Sequence, residues 1–273
     1  MSQDEKRAGG TKRGPRQVWI GWEPRQHAAY AVCQRSVRTH VAQDDLDAGR
    51  IVIKPIILDD LQQRQLYTRP VDLDDKGRLF DPISGASMST EFAISRFLVA
   101  ALACAEKVKR RPGQAEKRKG WALFIDCDML VRHRLETLFE ICEGEPDKAV
   151  FCVQHQHVHK TDTKMDDQMQ LVYARKNWTS VMAINLDHRA NKDLTVDLIN
   201  KVPGRDLHRF CWLEKHGDLQ VIGALPQKWN HLVGYTEYVP NAAIVHYKGT
   251  RKGVDGPTRD ARWKSGKRVR TAP

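Results

Sequence analysis

Residues Trp121–Val131 read WALFIDCDMLV. Five apolar residues precede two aspartates, Asp126 and Asp128, and the apolar run resumes at Met129. An uninterrupted apolar run of this length predicts a strand buried on both faces, as in a parallel sheet. Two carboxylates at the end of a buried strand lose hydration and repel each other. Something must balance them.

Outward from this strand, helical and strand patterns alternate. QVWIGW (17–22) predicts the first strand. PRQHAAYAVCQRSVRTHV (24–41) predicts a helix with Pro24 at its start, and IVIKPIIL (51–58) a second strand. Residues 59–90 are polar and turn-rich; Ser89 or Thr90 is placed to cap a helix over 91–108. RLETLFEICE (134–143) predicts a helix, KAVFCVQHQHV (148–158) a strand, SVMAINL (180–186) a strand, LTVDLINKV (194–202) a helix and AAIVHYKG (242–249) a late strand. The alternation predicts an α/β sandwich with a mostly parallel central sheet and a ligand site beyond the carboxyl ends of its strands.

The 273 residues suit one domain with appendages. Formal net charge is +11, unevenly placed. Residues 1–17 carry +3, 107–120 carry +6 and 248–273 carry +7, leaving −5 for the remainder. This organisation predicts a basic, disordered arm over 1–16, a domain over 17–253 and a basic tail over 254–273. Such segments are either solvated surface or contacts for a polyanion. The candidate polyanion contacts are Lys109, Arg110, Arg111, Lys117, Arg118, Lys119, Arg262, Trp263 and Lys264, with Trp263 able to stack on a base. No stretch approaches the roughly 20 apolar residues that span a bilayer, and the polar N-terminus lacks the apolar core of a secretory signal, so a cytoplasmic location is expected. The six cysteines form no C-x-x-C pair, which argues against a zinc site.

In an extended segment residues i and i+2 face the same way, so Asp126 and Asp128 can share one hard divalent cation, Mn2+ or Mg2+. The same pair can equally cap a turn. The late segment IVHYKGTRK favours the cation: His246 at a strand end offers a nitrogen, Gly249 lets backbone approach a phosphate, and Lys252 neutralises phosphate charge. His155, His157 and His159 alternate at strand spacing and read as a strand face.

FIDCDMLV together with HYKGTRK resembles the GT-A fold nucleotide-sugar glycosyltransferases, closest to glycosyltransferase family eight, the glycogenin and galactinol synthase group. His246, Tyr247, Gly249 and Lys252 match that family's H-[FY]-x-G-x-x-K motif. EFAISRFLVAAL, TSVMAINL and LPQKWN are similar to further family segments in the same order, and the resemblance spans residues 18 to about 253. It implies a GT-A α/β/α sandwich and a metal-dependent, retaining transfer of a sugar from a nucleoside diphosphate sugar, UDP-linked by expectation. It implies metal ligands Asp126, Asp128 and His246. Donor contacts would come from Ile20, Glu23, Arg25, Arg96, Asp126, Cys127, Asn177, Ser180, Gly249 and Lys252, and Asp206 and His208 would lie near the reacting carbon. The basic loop and tail add the expectation of a nucleic-acid acceptor, in its simplest form a hydroxymethylated pyrimidine in DNA, flipped out of the duplex as by a phage-type DNA-modifying enzyme. The competing expectations are an envelope or oligosaccharide glycosyltransferase and a non-catalytic nucleic-acid-binding protein on the same scaffold.

Overall fold

The computed structural model describes residues 16–105, 120–156, 175 and 177–247. Its strands are β1 (Arg16–Gly21), β2 (Ile51–Ile56), β3 (Asp72–Leu73), β4 (Leu79–Asp81), β5 (Ala86–Ser87), β6 (Trp121–Ile125), β7 (Met129–Val131), β8 (Val150–Cys152), β9 (Val181–Asn185), β10 (Ile222–Ala224), β11 (His231–Leu232) and β12 (Ile244–His246). Six of them form the central sheet in the order β10-β8-β9-β6-β1-β2. β2, β1 and β6 run parallel, as do β8 and β10; β9 alone runs against its neighbours. The expected α/β architecture with a mostly parallel sheet is what forms.

The apolar run Trp121–Ile125 is the sheet's interior. Every residue of β6 is buried, as is every residue of β9, and Phe124 and Phe151 are among the largest fully buried side chains. Strands covered on both faces need no polar alternation, which is why these segments read as continuous hydrophobic runs.

The helix His27–Thr39, here α1, follows a single 3₁₀ turn over Pro24–Gln26. It buries Tyr30, Cys33, Ser36 and Val37, a 3–4 spacing that packs one face on the sheet. The expected helix over 91–108 is broken into helical turns Phe92–Ser95, Arg96–Leu98 and Val99–Ala105. Neither Ser89 nor Thr90 caps it. The buried carboxylate of Glu23 accepts the Glu91 N–H at 2.9 Å instead, so the start of this helix is tied to the end of β1.

Three boundaries depart from the sequence reading. The segment expected to continue as strand to residue 158 stops at Cys152, so His155 lies past the strand end; His157 and His159 fall outside the described residues. Residues 58–90 contain a short helix, Leu58–Gln63, and the antiparallel meander β3-β4-β5. A second sheet, β11-β12-β7, pairs the late strand antiparallel with the residues that follow the aspartates.

Candidate metal centre

β1 and β6 end on the same edge of the sheet, and antiparallel β9 begins there, with Val181 opposite Ile125. Asp126, Glu23 and the Asn177–Ser180 turn therefore converge on one edge. The Asp126 N–H donates to the Ser180 carbonyl at 3.0 Å, extending the β6–β9 ladder by one bond.

The chain does not stay extended through the aspartates. It turns at Cys127 and Asp128 before re-entering β7. Cys127 is fully buried and its thiol donates to the Gln26 side-chain carbonyl at 2.9 Å; burial and the flanking carboxylates push that thiol upward, so it stays protonated. The carboxylates converge because of this turn and not through strand alternation.

The register of the second sheet supplies the third group. His246 pairs with Met129, and the Tyr247 N–H donates to the Asp128 carbonyl at 2.9 Å. The His246 Nε2 then lies 3.2 Å from Asp128 Oδ1 and 3.9 Å from Asp126 Oδ2. One ligand atom from each of the three residues fits within 4.8 Å of the others.

The orientation of His246 follows from its neighbours. Ser180 Oγ donates its only hydrogen to the Asn177 carbonyl at 2.8 Å. It must therefore accept from Asn230 Nδ2, also at 2.8 Å. This turns Asn230 Oδ1 toward His246 Nδ1, 3.2 Å away, and that nitrogen must carry the hydrogen. With Nδ1 so engaged, Nε2 is the nitrogen left facing the two carboxylates, and it is the one that can ligate a cation held between them. Two carboxylate oxygens and one imidazole nitrogen suit Mn2+ or Mg2+ with free positions. The residues present fit the ion.

Arg96 is nearly buried and committed. It donates to the Phe92, Ala93 and Thr179 carbonyls, lies 2.9 Å from Asp126 Oδ1, and has its guanidinium carbon 4.8 Å from the centroid of the Phe124 ring. It holds Asp126 in place. His208 abuts the same network: its Nδ1 is 2.7 Å from Thr179 Oγ1 and its ring meets Phe97 edge-on. Burial, with the nearby Arg96 charge, lowers His208 to about 3, while a hydrogen bond with the Ala93 carbonyl opposes the shift. It is neutral at pH 7 and braces Thr179, whose carbonyl accepts from Arg96.

Other expected contacts are placed differently. Ile20 is fully buried between β2 and β6, so its side chain belongs to the core. Glu23 is spent on Glu91 N–H and on exposed Arg25 at 3.1 Å. Asp206 sits in the short helix Gly204–His208 beside Arg205 and has no hydrogen bond or ion pair to the cluster. Asn177 and Ser180 do reach it, through Asn230. Gly249, Lys252, Lys109, Arg110, Arg111, Lys117, Arg118, Lys119, Arg262, Trp263 and Lys264 lie outside the described residues. Asn230 and Thr179 were missed by sequence reasoning. Asn230 stands in the LPQKWN segment, but nothing in its spacing singles it out.

Fold and site together define an α/β domain with a two-carboxylate, one-imidazole candidate cation centre at the carboxyl edge of its sheet. Over 256 residues, 94% of this chain and 84% of the relative, the sequence is 34% identical to Protein CDI of Arabidopsis thaliana, and the chain belongs to that protein's family. No family model matches the chain. Among solved structures it is similar to mouse xyloside xylosyltransferase 1 (12% identity, 86% of this chain and 97% of that one, TM-score 0.46). It is also similar to the galactosyltransferase LgtC (13%, 85% and 87%, 0.44) and to the glycosyltransferase GlyE of Streptococcus pneumoniae TIGR4 (14%, 92% and 60%, 0.48).

Proposed function

We propose that the chain is a metal-dependent glycosyltransferase of GT-A type that moves a sugar, with retention, from a nucleoside diphosphate sugar to a hydroxyl acceptor. The observation that carries the reading is the convergence of Asp126, Asp128 and His246 at the carboxyl edge of the sheet, in the chain order of the family that the motifs resemble. Asp126, Asp128 and His246 would hold Mn2+ or Mg2+, which when bound offers a Lewis acid to the diphosphate leaving group. Arg96 fixes the Asp126 carboxylate, and Asn230 fixes the tautomer of His246. Lys252, expected from the motif to neutralise phosphate charge, follows six residues after His246. No side chain of the site is assigned as general base. His208 is neutral and saturated, and Asp206 is turned to Arg205.

The DNA acceptor and the phage-type origin rested on charge in residues 107–120 and 248–273, which lie outside the described segments apart from Gly120, and the curated relative is a plant protein. The acceptor proposed is accordingly a hydroxyl compound. No helix among the described residues is long and apolar enough to cross a membrane.

The test is release of nucleoside diphosphate from a panel of nucleotide sugars with and without Mn2+, followed by incorporation of labelled sugar into oligosaccharide, lipid and duplex DNA carrying hydroxymethylated pyrimidines. Donor turnover that needs metal and falls at least about 100-fold in Asp128→Ala is expected. A chain that neither binds nor hydrolyses any donor in the panel would not be a glycosyltransferase.

A further inference from the structure

Away from the metal centre, α1 covers the free edge of β7, where Ser36 Oγ accepts the Val131 N–H at 3.0 Å. A groove of about 440 Å³ opens along this seam. Val32, Leu130 and Val131 give it an apolar floor; Arg35, Thr39 and Arg132 are its exposed members. No carboxylate lines it. Arg38 stands one turn beyond Arg35 on α1, and exposed His133 and Arg134 follow Arg132. The Leu135 N–H donates to the His40 carbonyl at 3.2 Å, which holds the two basic segments side by side.

Surface arginines on this body are divided: exposed Arg50 pairs with a carboxylate, as do part-buried Arg16, Arg78 and Arg175, whereas exposed Arg64, Arg189 and Arg209 make no ion pair among the described residues. Arg134 is 3.6 Å from buried Glu136. Arg35, Arg38 and Arg132 make no ion pair among the described residues, although Arg35 and Arg132 both line one trough. Uncompensated like charge around an apolar floor is unfavourable in the free protein and becomes favourable when an anionic partner fills the trough.

We propose that the α1–β7 groove docks an extended acidic peptide segment of a partner protein, an aliphatic side chain lying on Val32 and Leu130 and flanking carboxylates pairing with Arg35 and Arg132. Planar guanidinium groups take carboxylates in bidentate fashion, and the apolar floor selects a residue between them. The floor is what favours a peptide over a duplex: phosphate contacts by themselves position a backbone and need no apolar floor. A flat anionic bilayer would meet the exposed arginines without reaching the buried Val131. The proposal does not depend on the glycosyltransferase reading.

The test uses the full chain and a panel of fluorescein-labelled nonapeptides, each with a central Leu, Val or Phe flanked by Asp and Glu at varied spacing, read by fluorescence polarisation. Because the basic tail can attract any acid, two controls read the groove itself. Arg35→Glu/Arg132→Glu should weaken the best peptide at least about tenfold while leaving Mn2+ binding and the melting temperature unchanged, since both side chains are exposed. Replacing the peptide's central Leu by Ser should weaken it several-fold, which attraction to the basic tail would not do. A benzophenone at the central position should cross-link within residues 32–39 or 130–132. Binding unaffected by the double variant, or indifferent to the central residue, overturns the proposal. So does a variant that loses affinity for a 20-base-pair duplex or for phosphatidylserine vesicles but not for any peptide, which would assign the groove to phosphate.

Discussion

Asn230 is the residue on which the proposed centre turns, although it touches no metal. It is fully buried, and its amide joins His246 to Ser180. A ligating imidazole depends on the partner of its other nitrogen for orientation and basicity. Asn230→Leu should therefore lower Mn2+ affinity about 10- to 100-fold by calorimetry, with Asp126 and Asp128 untouched. Unchanged affinity would mean that His246 is not a ligand. His208 gives a prediction of a different kind. Its folded value is depressed to about 3 from an ordinary 6.5, so the unfolded chain takes up a proton below pH 6.5 that the folded chain refuses. Its contribution to stability is complete above pH 6.5 and is lost as pH falls toward 3. His208→Gln retains a donor for Ala93 and an acceptor for Thr179 without the titration. Between pH 7.5 and 5.0 the parent chain should lose on the order of 1–2 kcal/mol more than the variant in urea denaturation. Parallel pH profiles would remove His208 from the account.

At the scale of elements, the site is built by small irregularities at strand ends. The Gly21 that closes β1 lies against Phe92: a Cβ there would stand 2.5 Å from the ring. Phe92 begins the helical segment that ends by presenting Arg96, and Glu23 holds the preceding N–H. Gly21→Ala must push this segment from its seat, since the clash is with a ring carbon rather than a flexible tip. It should cost about 1–3 kcal/mol and weaken metal binding with it, through Arg96 and Asp126. An Ala variant of parental stability and affinity would show that Phe92 can move freely.

The same scale explains what was legible. β1, α1, β6 and β9 could be read because burial on both faces, or on one helical face, leaves a periodic mark. The reversed direction of β9 leaves none, since parallel and antiparallel strands buried on both faces have the same composition. The cap from Glu23 crosses 68 residues of chain, and local rules point to Ser89 and Thr90 instead. The candidate metal ligands were legible only because two distant motifs occur together. Their geometry, set by a turn at Cys127 and by the β12–β7 register, was not.

Across the whole molecule, one buried ion pair fastens the segment between β2 and the helical turns to the far end of the chain. Arg69 and Asp81 have fully buried side chains, 2.5 Å apart at their closest. Arg69 also donates to the Ile199 and Val202 carbonyls at 2.7 Å each. Asp81 accepts from the Ser84 N–H and hydroxyl, and Ser84 Oγ in turn accepts from the Gly204 N–H at 2.7 Å. The pair thus ties β4 to the helix Val196–Lys201 and to the Gly204–His208 helix, which carries His208 to Arg96. Removing one partner strands the other without water. Arg69→Met should cost about 3–5 kcal/mol in chemical denaturation. Apolar replacement of both partners is often harmless for an isolated buried pair, but here it would leave two carbonyls and a backbone N–H unsatisfied. Arg69→Met/Asp81→Leu should therefore recover less than half of the loss. Hydrogen exchange of the parent chain should report residues 79–88 and 196–208 opening as one unit, whereas in the single variant both should exchange ahead of the central strands. If Arg69→Met costs less than about 1 kcal/mol, or if the two regions exchange independently in the parent, the pair is not what joins them, and the bracing of Arg96 by His208 must rest on the Phe97 and Thr179 contacts alone.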